Sequence, residues 1–309
     1  MEKHPNPASP APSTSTQRTL PVFFSPAMVA QSACFSPSAA KPGPVVASWQ
    51  AHGLPIELHE PTPATLDQLA MAHDRGHVAA ILAGRAPNGF GNRSLDVAAS
   101  LPFTTGAMLS AARHAVLHGG FAAAPCSGFH HAGFDHVEGF CTFNGLMVTA
   151  CALKHEGLVQ RVGILDCDQH YGNGTDGIIE HLGARGWVRH FTAGADHHRR
   201  AQAEGFLAAL PKIAATMADC DVVLYQAGAD PHVDDPLGGW LTTEQLRRRD
   251  AVVFASFRDL GVPVAWNLAG GYQKAADGSI PKVIEIHDNT AIECVRAFSG
   301  AGRVIARSA

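Results

Sequence analysis

Ile164-Leu165-Asp166-Cys167-Asp168-Gln169-His170-Tyr171-Gly172-Asn173-Gly174-Thr175 ends an apolar run, Val162 to Leu165, and turns abruptly polar. The apolar part reads as a buried strand. On extended backbone, alternate side chains share a face, so Asp166, Asp168 and His170 point the same way. Two carboxylates and an imidazole converging at a strand end suit a divalent metal. Gly172 and Gly174 let the chain turn into a helix starting near Thr175. The competing reading is a strand-end cluster of solvated polar residues.

Outward from this stretch, strands and helices alternate. After the helix Thr175 to Leu182 come a strand at Val188 to Thr192 and a helix at Ala203 to Met217, broken or kinked at Pro211. Asp221 to Gln226 and Pro263 to Leu268 read as strands, and Thr243 to Leu260 and Glu285 to Phe298 as helices. That pattern predicts right-handed βαβ crossovers and a three-layer α/β/α fold with a mostly parallel sheet. Upstream, Leu20 to Phe24, Pro55 to His59 and Phe121 to Pro125 read as strands. Thr65 to Ala83 reads as helix, broken near Asp74-Arg75-Gly76. Thr105 to His118 reads as helix stopped by Gly119-Gly120, and Phe143 to Leu153 as a buried helix. Ser25 to Pro44, Ala86 to Ser94 and Ser127 to Phe140 read as loops.

The 309 residues are 46% hydrophobic and 16% charged, enough for one large core. A formal net charge of -4 without basic runs argues against a nucleic-acid partner. No apolar run is long enough to span a bilayer, so no membrane association is expected. Seven unpaired-looking Cys read as small buried hydrophobes in a reducing, cytoplasmic setting. Eighteen His are many for this length, and His is a common metal ligand. Residues 1–18 are rich in Pro, Ser and Thr and read as a disordered tail, and 19–309 as a single domain.

In a parallel sheet, ligands bind beyond the carboxyl ends of the strands. Four such ends are polar here: Phe129-His130-His131-Ala132-Gly133, Asp166 to Asn173, Gln226-Ala227-Gly228-Ala229-Asp230-Pro231-His232, and Asn267-Leu268-Ala269-Gly270-Gly271-Tyr272. Each alone has a bland explanation: a loop His pair, an Asx turn at Asp230, an aromatic over a tight turn. Asp234-Asp235-Pro236 reads as a turn. Together the four ends supply a third carboxylate, two bases and a phenol, the parts of metal-assisted hydrolysis.

These segments carry a specific resemblance. His130-His131-Ala132, Gly139-Phe140-Cys141-Thr142-Phe143-Asn144, Asp166 to Thr175, Ala227 to His232, Asp235-Pro236-Leu237-Gly238-Gly239 and Gly270-Gly271-Tyr272 occur in the order found in zinc-dependent histone deacetylases and their bacterial relatives, among them acetylpolyamine amidohydrolases. The resemblance runs from about Leu20 to Phe298 and looks closer to the class II type, because Asn173 stands where class I enzymes usually carry Asp. It implies an arginase/deacetylase-like fold and one zinc ion on Asp168, His170 and Asp230. It also implies proton transfer by His130 and His131, oriented by Asp166 and Asn173 respectively. Tyr272 would donate to the oxyanion, Gly139 and Phe140 would line the acyl channel, and a structural potassium ion would sit on carbonyls near Asp166, Asp168 and His170. The implied substrate is a small acylated amine or acyl-lysine, and the implied reaction is deacetylation.

The chain departs from that family at the pocket mouth. Ala33-Cys34-Phe35-Ser36-Pro37 lacks the usual charges, Asn88-Gly89-Phe90-Gly91-Asn92 lacks an acidic residue, and Glu138 and Gly145 are uncommon. These changes speak against a histone tail as substrate and leave small acylated amines. The alternatives are a two-manganese ureohydrolase on the same fold, or a non-catalytic acyl-amine binding or interaction protein.

Overall fold

A computed structural model describes residues 18–299. The expected tail lies outside these residues, apart from Arg18, and so do residues 300–309.

The strands are β1 (Leu20–Phe23), β2 (Ile56–His59), β3 (Phe121–Ala124), β4 (Val162–Asp166), β5 (Val188–Thr192), β6 (Val222–Gly228) and β7 (Val264–Ala269). The inner strands are short, fully buried and mostly apolar, as strands covered on both faces must be, while the edge strands β2 and β5 carry exposed polar residues. They form one sheet in the order β2-β1-β3-β7-β6-β4-β5. Every pairing is parallel, which goes further than the mostly parallel sheet expected. The helices are α1 (Pro42–Ala51), α2 (Leu66–Leu69), α3 (Arg75–Leu82), α4 (Leu95–His118), α5 (Gly145–His155), α6 (Asn173–His181), α7 (Ala203–Ala215), α8 (Thr243–Leu260) and α9 (Pro281–Ser299).

Strand periodicity sorts the core into two layers. Val223 and Tyr225 of β6 face one cluster, with Trp49 of α1, Leu207 of α7, Phe254 of α8 and Ile286 of α9. Val222 and Leu224 face the other, with Val78 of α3, Met108 of α4, Leu146 of α5 and Ile178 of α6. No helix among the described residues is long and apolar enough to cross a membrane.

Two elements differ from expectation. α1 falls where a loop and its flank were read, because Pro42-Gly43-Pro44 looks like punctuation. Proline in the first helical turn sacrifices no hydrogen bond, and Val45, Val46 and Trp49 then bury one face. α4 begins at Leu95 rather than Thr105, capped by the Ser94 side chain accepting from Val97 N, with Pro102 inside.

Sheet register brings the site together. Asp166 of β4 pairs with Gln226 of β6, Gln226 with Asn267 of β7, and Asn267 with Ala124 of β3. The loops leaving this row carry all four polar clusters read from the sequence.

Candidate active site

β4 delivers Asp166 fully buried at its last position. Asp166 Oδ2 lies 2.8 Å from His130 Nδ1, while Oδ1 accepts from Asp168 N at 3.1 Å and Gln226 Nε2 at 3.3 Å. His131 Nδ1 lies 2.6 Å from Asn173 Oδ1, at the start of α6. The His130 and His131 rings pack with centroids 4.0 Å apart. Their environments push them in opposite directions. Burial alone would lower His130, but the charges of Asp166, Asp168 and Asp230 hold it up at about 9. Burial and the neighbouring His130 lower His131, against a smaller rise from its Asn173 hydrogen bond.

Asp168, His170 and Asp230 converge beside this pair. One ligand atom from each lies within 4.8 Å of the other two, and among the described residues this is the single cluster of three or more such donors. His170 Nδ1 sits 3.2 Å from Asp168 Oδ1 and 3.1 Å from Asp230 Oδ2, while Nε2 lies 3.2 Å from the Leu237 carbonyl. Nδ1 carries at most one proton and faces two carboxylates, so a proton satisfies one of them at a time. Burial pushes Asp230 up to about 7, with the Asp168 charge adding to the rise. Burial would raise Asp168 too, but His130 and His170 hold it low. The hydrogen bonds to Asp168 and Asp230 raise His170 to about 11. Two buried carboxylates around one imidazole nitrogen fit a divalent cation in place of that shared proton, with Nε2–H left to donate to Leu237.

The opposite wall comes from the loop after β7. Tyr272 N donates to Asp235 Oδ2 at 2.8 Å, and burial followed by the charges of Asp230 and Asp168 raises the phenol well above its usual range. Tyr272 therefore keeps its proton at neutral pH. Phe35 stacks on its ring at 6.1 Å and Phe140 tilts against it at 5.6 Å. Gly270 approaches so closely that a Cβ there would fall 2.1 Å from Asp230 Cγ.

Some contributors escaped the sequence reading. The usual charge is missing from Ala33 to Pro37, but a cation arrives nearby. Lys41, fully buried at the start of α1, donates Nζ to the Gly270 carbonyl. Its pKa is lowered to about 8 by burial, partly offset by Asp230, Asp168 and Asp235. Asp235, read as a turn residue, does accept from Leu237 N at 3.0 Å but also fixes the Tyr272 backbone. A lysine in a Pro- and Ser-rich loop followed by Pro-Gly-Pro was the signal for the first; the second stood in the Asp235 to Gly239 segment of the resemblance, without a role attached.

A model of the histone deacetylase domain matches residues 44–184. The chain is 30% identical over 177 residues to an uncharacterized protein of Picosynechococcus sp., covering 51% of this chain and 58% of that one. It is 26% identical over 203 residues to acetylpolyamine amidohydrolase 1 of Pseudomonas aeruginosa, covering 56% and 54%. Over these residues the chain is similar to the histone deacetylase family. This deacetylase-like chain thus spans between half and three-fifths of the length of those two curated relatives. Its backbone superposes on the solved HD domain of HDA15 with a TM-score of 0.70 at 20% identity, over 94% of this chain and 92% of that one. The fold is accordingly that of the arginase-like α/β group.

Proposed function

We propose that this deacetylase-like chain is a zinc-dependent amidohydrolase that removes an acetyl group from an acylated amine, and that residues 19–309 form one catalytic domain. The observation that carries the reading is the meeting of Asp168, His170 and Asp230 next to two imidazoles of opposite proton affinity. A zinc ion held by those three would polarise the amide carbonyl and acidify a water molecule. His131, the imidazole of lowered pKa, is neutral at pH 7 and takes the proton from the attacking water. His130, hydrogen-bonded through Nδ1 to Asp166, supplies a proton for the departing amine. Tyr272 donates its hydroxyl hydrogen bond to the oxygen that becomes negative. Phe140 and Phe35 flank Tyr272 and wall the acyl chain away from water. Acetate and a free amine leave.

A single donor cluster among the described residues supports one ion over a two-manganese ureohydrolase. The same reading keeps a potassium ion on backbone carbonyls near Asp166, Asp168 and His170, a hard oxygen donor set that suits a structural monovalent cation. The loop Asn88 to Asn92 brings no carboxylate to the mouth, which favours a small acylated amine such as an acetylpolyamine over a histone tail. The test is turnover of an acetyl-lysine reporter and of acetylated polyamines by zinc-loaded protein. Release of acetate from either supports the reading. No turnover on both, with one zinc bound per chain, overturns it.

A further inference from the structure

Glu138 is one of the departures noted in the sequence, and its place in the fold gives it a task. Asn173 Nδ2 donates to Glu138 Oε2 at 2.8 Å, while Asn173 Oδ1 lies 2.6 Å from His131 Nδ1. An amide has two orientations related by a half-turn. With the nitrogen toward Glu138, a donor meets a carboxylate. In the flipped orientation the amide oxygen would face that carboxylate, and two acceptors repel. Glu138 therefore selects the orientation in which Asn173 offers His131 an oxygen. An oxygen there accepts from Nδ1–H and stabilises the tautomer whose free lone pair is on Nε2.

The backbone that presents Glu138 is fixed. Glu138 and Cys141 form a two-residue turn, with Cys141 N donating to Glu138 O at 2.8 Å and Glu138 N to Cys141 O at 3.3 Å. Gly139 at φ 55° and Phe140 at φ 63° both lie in the left-handed region, as a type I′ turn requires. The turn packs directly on the base: a Cβ at Gly139 would fall 2.3 Å from His131 Cδ2.

We propose that Glu138 is a positioning residue for His131, acting through Asn173. It locks the amide of Asn173, which in turn locks His131 as an Nδ1–H imidazole with Nε2 free to take a proton. Asp in place of Asn173 would need no such partner, because a carboxylate has an acceptor on both sides. The inference rests on the hydrolytic reading for its kinetic consequence, but not for its structural one.

The test uses zinc-loaded protein with Glu138→Ala made in two backgrounds, the natural chain and Asn173→Asp. Nitrogen-15 NMR of His131 reads the tautomer without any substrate. In the natural background Glu138→Ala is expected to convert a single Nδ1–H form into a mixture. It should also lower kcat roughly fivefold, the value of one ordinary hydrogen bond, at unchanged KM. In the Asn173→Asp background the same change removes a like charge and is expected to raise kcat. An unaltered tautomer after Glu138→Ala overturns the proposal, and so does an equal fall of kcat in both backgrounds. If no acylated amine is turned over at all, the hydrolytic reading fails while the tautomer still decides the role of Glu138.

Discussion

Single side chains here are judged by what faces their polar atoms. Tyr272 is the clearest case: it stays protonated and so keeps a hydroxyl hydrogen to donate. Tyr272→Phe keeps the Phe35 and Phe140 packing and removes one hydrogen bond to the developing oxyanion, so kcat should fall on the order of a hundredfold. Steady-state kinetics checks this, with an unchanged melting temperature showing that the wall is intact. His73 is polar and buried, and it braces the backbone of the His130-His131 segment from behind. Its Nδ1 lies 2.8 Å from the Gly133 carbonyl and its Nε2 accepts from Asn144 N at 2.8 Å, so protonation would set an N–H against an N–H. Burial is the largest cause holding its pKa down at about 4, from an ordinary 6.5. Below pH 6.5 the unfolded chain gains a proton that the folded chain refuses. The stability of the neutral ring is complete above 6.5 and drains away as pH falls toward 4, by about 3 kcal/mol in all. His73→Gln preserves a donor and an acceptor but cannot titrate. Urea unfolding of the two proteins between pH 7 and pH 4 should therefore show a gap that opens on acidification.

Elements decide which of these residues meet, and the sequence reveals elements unevenly. β4, β6 and β7 are legible because strands buried on both faces must be nearly continuous apolar runs. The polar residues following them are legible for the same reason, since they break that rule. Asp166, Asp168 and His170 announce themselves by alternate spacing within one segment. Asp230 and Tyr272 need the parallel sheet to reach them. Lys41 stays silent because it sits beside two prolines that mimic a loop; Glu138 stands out only as an uncommon residue, because its role depends on an amide two elements away. The loop after β7 shows how tightly an element can be held to a site. Gly270 at φ 49° lies against the Asp230 carboxylate, and Lys41 fixes its carbonyl. Gly270→Ala would drive a methyl group into a proposed ligand. Zinc affinity, read by chelator competition, is expected to fall at least tenfold, within the range seen when the surroundings of metal ligands are disturbed.

For the molecule as a whole, the question is what holds three strand ends in one place while two carboxylates repel between them. Part of the answer is a buried ion pair on α8, outside the site. Arg249 and Asp250 are both fully buried, with Arg249 Nε 2.8 Å from Asp250 Oδ1. Arg249 Nη1 donates to the Cys167 carbonyl at 3.1 Å and to the Gly228 carbonyl at 2.6 Å, one position before Asp168 and two before Asp230. Asp250 accepts from the hydroxyls of Tyr225 in β6 and Thr290 in α9. One guanidinium thus ties the ends of β4 and β6 to the helical layer behind them. Removing it strands a buried carboxylate and leaves two carbonyls short of a donor. Arg249→Met should cost about 3 to 5 kcal/mol, and lower the melting temperature on the order of 10 °C. Neutralising the stranded acid as well, with Arg249→Met and Asp250→Leu together, is expected to restore part of that stability, because a well-packed apolar pair avoids the burial of charge. It does not restore the donor to Cys167 and Gly228. Calorimetry of the zinc-free double variant should therefore show recovered folding, while zinc titration shows affinity still weakened. Recovery of both together would mean that the pair stabilises the core without placing the ligands.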